Sequence, residues 1–217
     1  MRKKIGCYHA HYSNIEHIER ALNPYDVEIV HFVDPGLDRI KADVDFTNEI
    51  AQRKIKDTLD WIAKCHLDAI LITCTFFTAN LQQETLLSYP IPIIKIDDPL
   101  FQNICQLNKQ IIMAFTNPNT VKGTMDQLIN FARIMEKELQ AESVLLENTF
   151  DLIMQGKKEE YIEVVTNGLN QIVRENPDKT VVAAQLSMVP AAQGIGIGNH
   201  LNSLSRYMEE LLNLDIK

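Results

Sequence analysis

Apolar runs alternate with stretches of helical periodicity along the whole chain. In the helical stretches the apolar residues recur at steps of three and four, as in Ile55, Leu59 and Ile62. The runs between them are short, and those in mid-chain show little alternation, which is typical of strands buried on both faces of a parallel sheet. The pattern therefore predicts an α/β fold with parallel sheets. The predicted strands are Lys4–Tyr8, Val27–Val33, Ala69–Thr73, Ile93–Ile96, Gln110–Phe115, Ser143–Glu147 and Thr180–Ala184.

The predicted strands fall into two series of similar spacing. The strands centred on Ile5, Ile29 and Ile70 have counterparts about 110 residues later in the chain. This repeat predicts two pseudo-symmetric lobes, residues 1–97 with 198–217 and residues 98–197, the last helix returning to cover the first lobe. A single sheet of six or seven strands is the alternative. Ligands of open parallel sheets bind beyond the carboxyl ends of the strands, so two lobes would place a site in the cleft between them.

Composition narrows the range of partners and compartments. The 217 residues carry a formal net charge of −8, which gives no electrostatic reason to bind nucleic acid or anionic lipid. The sequence shows no signal-peptide apolar region and no run long enough to span a membrane. The 4 cysteines lack the paired spacing of a disulfide framework. We therefore expect a cytoplasmic protein with no nucleic-acid partner and no membrane partner.

Cys74 is the first candidate for chemistry. It follows the apolar run 69–73 and precedes Thr75 and Phe76, which begin a turn into a helix. A thiol at a helix start meets unpaired backbone N–H groups that favour the thiolate, the form that acts as a nucleophile or base. A buried and inert cysteine is the alternative. The inert interpretation is preferred for the cysteines inside predicted strands or helices, namely Cys7, Cys65 and Cys105.

Hydroxyl groups follow a strand of the second series. Thr116 and Thr120 come after the run Ile111–Phe115 and open a long helix. Hydroxyls and free amides at such a position bind carboxylate or phosphate, although they also serve as ordinary helix caps. The sequence leaves these two roles open.

His9 and His11 follow the first predicted strand and have three possible roles. They could contact an anion, transfer a proton or bind a metal ion. The H-x-H spacing has no neighbouring Cys, Asp or third His to complete a metal site, so a hydrogen-bonding role is preferred. The glycines near the end of the chain do not match the dinucleotide-binding fingerprint. We therefore expect neither a metal ion nor a cofactor.

Taken in order, segments spanning nearly the full chain resemble motifs of the aspartate/glutamate racemase superfamily. That superfamily includes hydantoin racemases, maleate isomerases and arylmalonate decarboxylases. Tyr8–His11 is similar to I-H-T-S, and Ile72–Thr75 is similar to the first catalytic segment, C-N-T. Lys95–Pro99, followed by Ile111–Thr116, Thr120 and Thr124, is similar to the pattern I-D-x-P/A…G-x-I-G-V-x-A-T…T…T. Val181–Met188 is similar to V-I-V-L-A-Q-A-S-M, which surrounds the second catalytic position.

The resemblance implies cofactor-independent proton transfer at the carbon next to a carboxylate, on a two-lobed fold that commonly dimerises. In racemases of the family two cysteines, one from each lobe, face opposite sides of that carbon. The resemblance gives Cys74 the acid/base role and implies a small carboxylate-containing substrate. The residues it implies for substrate binding are His9, His11, Thr75, Phe76, Thr116, Thr120, Gln185 and Ser187.

The sequence departs from the family at the second catalytic position, which is Gln185. A carboxamide is neither an acid nor a base near neutral pH. Three hypotheses follow. In the first, Cys74 acts alone in a one-sided decarboxylation or isomerisation. In the second, His9 or His11 supplies the other proton and racemisation persists. In the third, the protein only binds a small carboxylate and catalyses nothing. The enzyme hypotheses thus name an isomerase or a lyase.

Overall fold

The computed structural model describes residues 2–41, 43–107 and 109–217, which form two parallel β-sheets flanked by helices. The predicted α/β fold with parallel sheets is confirmed. The strands are β1 (Lys3–His9), β2 (Val27–Val33), β3 (Ala69–Ile72), β4 (Ile93–Lys95), β5 (Ile111–Phe115), β6 (Ala141–Leu145) and β7 (Thr180–Ala183). The helices are α1 (Asn14–Leu22), α2 (Gly36–Ile40), α3 (Asn48–Ile62), α4 (Thr75–Ala79), α5 (Gln83–Leu87), α6 (Asp98–Gln106), α7 (Pro118–Ile134), α8 (Phe150–Met154), α9 (Lys158–Glu175), α10 (Val189–Ile195) and α11 (His200–Leu212).

The predicted strands match the observed ones closely except at β6. The sequence predicts this strand over Ser143–Glu147, whereas β6 begins at Ala141, which pairs with Ile111. β6 lies at the edge of its sheet, and its residues Glu142 and Ser143 are exposed. An edge strand is held by backbone hydrogen bonds on one side, so its polar residues carry no apolar signal that would mark the start.

The first compact unit runs to Ile96 and includes Leu204–Lys217. Its sheet has the strand order β2-β1-β3-β4 with parallel pairing throughout. The apolar stripe of α3 (Ile55, Leu59 and Ile62) is fully buried in the core of this unit. The end of the chain is attached to α1 and the loop after it. Ser205 donates a 2.8 Å hydrogen bond to the Ala21 carbonyl, and the Tyr25 hydroxyl donates to Glu209 at 2.9 Å.

The second compact unit is Asp97–Ser203, and its sheet has the order β6-β5-β7, again parallel. Its central strand β5 is buried on both faces. Ile112 and Ala114 pack into one core cluster with α9 and α10, whereas Ile111, Met113 and Phe115 pack into another with α6 and α7. Alternate side chains thus reach opposite faces of the sheet, which explains why this run reads as continuously apolar.

A buried hydrogen bond joins the two ends of the second unit's chain segment. His200 Nε2 lies 2.8 Å from Asp97 Oδ1, and the two side chains are 2% and 1% exposed. Asp97 immediately precedes α6, and His200 is the first residue of α11. The pair fixes the positions at which the chain enters and leaves this unit.

Within the described ranges, none of the helices combines the length and the apolar character that a membrane crossing requires.

Candidate functional site

Cys74 lies directly after β3, where the chain turns from the sheet into α4. Its backbone is extended (φ −116°, ψ 115°), and its carbonyl accepts a 3.1 Å hydrogen bond from the Thr78 amide in the first turn of the helix. The side chain is half-buried, as are those of Thr75 and Phe76 beside it. Burial raises the pKa of the Cys7 and Cys105 thiols, which supports excluding both as nucleophiles or bases. Cys74 is therefore a thiol at the carboxyl end of a central strand.

His9 supports the segment before Cys74 from inside the protein. Its Nδ1 lies 2.7 Å from Thr73 Oγ1, and its Nε2 lies 2.9 Å from Nδ1 of His31. Asn14 donates a further hydrogen bond to Thr73 Oγ1 at 3.2 Å. Burial, with a smaller contribution from neighbouring His31, lowers the pKa of His9 to about 4. His9 is therefore a neutral, fully buried imidazole with both ring nitrogens engaged, and it does not offer a free base to a ligand.

The structure separates His11 from His9. β1 ends at His9, and His11 is an exposed residue of the following loop. Its Nδ1 lies 2.8 Å from Ser13 Oγ and accepts a hydrogen bond from the Ser13 amide at 3.2 Å. The H-x-H motif therefore does not form a pair of neighbouring imidazoles. The residue that meets His9 is His31 of β2, which sequence reasoning missed because the partner comes from strand pairing.

In the second unit Gln185 occupies a site made of three hydrogen-bond donors. Its Oε1 accepts from the Thr116 amide at 2.6 Å, the Thr116 hydroxyl at 2.8 Å and the Asn117 amide at 3.0 Å. Its Nε2 donates to Thr120 Oγ1 at 3.1 Å. The sequence predicted that Thr116 and Thr120 lie at the start of a helix, and in the structure both hydroxyls contact Gln185. The donors expected for a substrate carboxylate thus bind a carboxamide oxygen of the protein itself.

Tyr161 extends this network and was missed by the sequence analysis. Its hydroxyl lies 3.0 Å from Thr116 Oγ1 and 2.8 Å from Ser187 Oγ. The Thr116 hydroxyl donates its one proton to Gln185, so it accepts from Tyr161, which in turn accepts from Ser187. Burial raises the pKa of Tyr161, which keeps the phenol protonated. In the sequence Tyr161 continues the apolar stripe of α9, so nothing there distinguished it from a core residue.

We expect Gln185→Ala to destabilise the second unit by about 1–3 kcal/mol, because it leaves buried donors without their acceptor. Added acetate or acetamide should restore part of the loss, since both carry an oxygen that fits the vacated donors. Urea unfolding and thermal shifts with each additive measure the effect. Gln193→Ala, at an exposed position of α10, is the matched control and should stay within about 0.5 kcal/mol of the unmodified protein. Equal stability of the two variants would contradict the assigned network.

Comparison with solved structures shows that the fold is that of amino-acid and allantoin racemases. A glutamate racemase from Bacillus anthracis superposes with a TM-score of 0.72 at 12% identity, covering 97% of this chain and 82% of that one. The aspartate racemase of Picrophilus torridus gives 0.70 at 12% identity, covering 99% and 96%. Allantoin racemase from Klebsiella pneumoniae gives 0.67 at 13% identity, covering 99% and 90%. No family model and no curated protein sequence matches the chain. The resemblance seen in the motifs is therefore confirmed at the level of the fold.

Proposed function

We propose that this protein is a cofactor-independent, racemase-like enzyme that moves a proton at the carbon next to a carboxylate, with Cys74 as its acid/base. The observation that carries the proposal is the position of Cys74, a half-buried thiol at the end of β3 on a fold shared with glutamate, aspartate and allantoin racemases. Ligands of such sheets bind at the carboxyl ends of the strands. Thr75 and Phe76, which directly follow Cys74 in the chain, are the proposed substrate contacts in this segment.

The chemistry requires a base and stabilisation of the resulting negative charge. The Cys74 thiolate takes the proton from the carbon, and the electron pair of the broken C–H bond moves into the adjacent carboxylate. Preorganised hydrogen-bond donors must stabilise that charge, because the carbon acid is weak. The Cys74 thiol then returns a proton to the carbon. In the related decarboxylation a second carboxylate leaves as CO₂, and the thiol protonates the carbon that keeps the electron pair.

We propose a one-sided reaction, because Gln185 and His9 are unsuited to the role of a second acid/base. The other candidate, His11, is an exposed loop residue whose Nδ1 is engaged by Ser13. Gln185 stands where the resemblance places the second cysteine, and its carboxamide neither donates nor removes a proton near neutral pH. Its oxygen is held by three donors, so a carboxylate that reaches Thr116 and Asn117 has to displace it. His9 is buried with both nitrogens engaged. A decarboxylase or isomerase with one cysteine fits these contacts better than a two-base racemase.

The substrate class in this proposal is a small acid or amino acid that carries a carboxylate. Cytoplasmic localisation and assembly into a homo-oligomer stay predictions of the sequence and of the resemblance.

Incubation with amino acids, hydantoins and malonates in deuterated water tests the proposal. We expect at least one compound to gain deuterium at the carbon next to its carbonyl or carboxylate, or to lose CO₂ with deuterium incorporated, as followed by NMR. A single base exchanges the proton on one face, so an amino-acid substrate should become deuterated with its configuration retained. Chiral chromatography of the same samples checks this point. Rapid racemisation would contradict the one-sided reaction, and no exchange across the panel would contradict the proposed function.

A further inference from the structure

Strand pairing brings a thiol and two imidazoles together inside the first unit. β1 and β2 run parallel in a register that sets Cys7 directly beside His31. His9 lies two residues beyond Cys7 on β1, and side chains two residues apart project from the same face of a sheet. Cys7 and His9 are fully buried, and the His31 side chain is 16% exposed. The three residues thus form a cluster whose least buried member is His31. The sequence predicted no metal site, because only strand pairing brings this second imidazole to Cys7 and His9.

The three ligand atoms of this cluster lie within 4.8 Å of one another. His9 Nε2 and His31 Nδ1 face each other at 2.9 Å. Around a tetrahedral Zn²⁺ ion the ligand nitrogens lie about 3.3 Å apart, and a nitrogen and a thiolate sulfur about 3.6 Å apart. Shifts of roughly 1 Å therefore convert the observed arrangement into a coordination set. We propose that Cys7, His9 and His31 form a binding site for a soft divalent cation such as Zn²⁺, with a fourth position open to water.

Each imidazole has an oxygen atom near its outer ring nitrogen, at hydrogen-bond distance for His9 and slightly farther for His31. A ligating histidine usually directs its other ring N–H at an oxygen, which fixes its tautomer. His9 Nδ1 lies 2.7 Å from Thr73 Oγ1, and this hydroxyl also lies 3.4 Å from the Tyr8 carbonyl, to which it donates. His31 Nε2 has no hydrogen-bond partner among the described residues and lies 3.5 Å from Glu19 Oε1. With both outer nitrogens protonated, the inner nitrogens present lone pairs to the ion.

Charge and ligand type favour a soft ion. Binding releases the Cys7 thiol proton to solvent, and the thiolate together with the Glu19 carboxylate balances the two positive charges. A thiolate with two imidazoles selects Zn²⁺ over Mg²⁺ and Ca²⁺, which prefer oxygen ligands. His31, whose side chain is 16% exposed, is the member of the cluster nearest to solvent. The bound ion would join β1 to β2 and, through His9 and Thr73, to the end of β3.

Titration of the full, chelator-stripped chain with Co²⁺ tests the site. We expect one Co²⁺ per chain, with tetrahedral d–d absorption and a thiolate-to-cobalt charge-transfer band, both lost when Zn²⁺ is added. Zn²⁺ should also raise the melting temperature, and Mg²⁺ should not. Absence of the charge-transfer band at saturating Co²⁺ would overturn the proposal and leave the imidazoles as a hydrogen-bonded pair.

Two variants at the less buried positions, His31 and Glu19, locate the site. His31→Gln should weaken Co²⁺ binding by more than about 100-fold, and Glu19→Gln by about 10-fold. Glu19 is an exposed residue of α1, so its variant should fold normally. The matched controls are Cys105→Ser, a buried thiol of the second unit, and His66→Asn, which removes an exposed imidazole at a positive φ that asparagine tolerates. Both should keep the band. Unchanged affinity in His31→Gln would place the metal elsewhere and overturn the assignment. Because the readout is metal binding, its result does not depend on the proposed function.

Discussion

Cys74→Ser is expected to lower the rate of proton exchange on the best substrate of the deuterium panel by about 10²–10⁴-fold, the usual contribution of a general base. A serine hydroxyl is a far weaker acid than a thiol, so the variant supplies almost no conjugate base at neutral pH. The change is nearly isosteric, so the fold of the β3–α4 segment should persist. NMR exchange rates at matched protein concentration measure the effect, and circular dichroism checks the fold.

The matched control for this variant is Cys65→Ser. Cys65 is a second half-buried thiol of the same unit, and its Sγ lies 3.6 Å from the Trp61 carbonyl at the end of α3. Its replacement should leave the exchange rate unchanged. Iodoacetamide followed by peptide mapping adds an independent measurement, in which Cys74 should be labelled fastest near neutral pH. Full exchange activity in Cys74→Ser would remove this residue from the proposed chemistry.

The fold could be predicted because its signals are local in the sequence. A central strand such as β5 is apolar at every position, since its two faces enter two different core clusters. The stripe of α3 likewise repeats at helical spacing and is buried as expected. The start of β6 could not be predicted because an edge strand needs no apolar residues to pair. The local pattern of apolar residues thus predicted which strands and helices exist more accurately than it predicted where each one begins.

The candidate site was predictable only as far as strand ends and motif positions identify it. Cys74 and Gln185 were identified as candidates in this way, but the contacts of Gln185 join residues 65 to 69 positions apart. The contact between His9 and His31 could not be predicted from the sequence, because it depends on the parallel register of β1 and β2. Tyr161 carries its one polar atom at the tip of a side chain on an apolar stripe. Hydrogen bonds between residues that are distant in the sequence therefore cannot be predicted from the pattern of apolar and polar positions.

His200→Leu is expected to destabilise the second unit by about 3–5 kcal/mol, the usual cost of removing one partner of a buried pair. The replacement leaves the Asp97 carboxylate, 1% exposed, facing an apolar side chain where it now meets an imidazole at 2.8 Å. A carboxylate in such surroundings has lost its hydration without full compensation. Asp97→Asn keeps a hydrogen-bonding side chain at the same place, so it should cost less than His200→Leu.

Hydrogen exchange of the β5 amides measures this loss, because β5 is the central and fully buried strand of the same unit. Exchange through unfolding of the second unit should speed up by the factor that corresponds to the lost free energy, roughly 10²-fold or more for 3 kcal/mol. The β1 amides of the first unit provide an internal reference. His66→Asn, at an exposed position whose positive φ asparagine tolerates, is the control variant and should leave both strands unchanged. Protection of β5 that stays the same in His200→Leu would show that the buried pair contributes little to holding the second unit together.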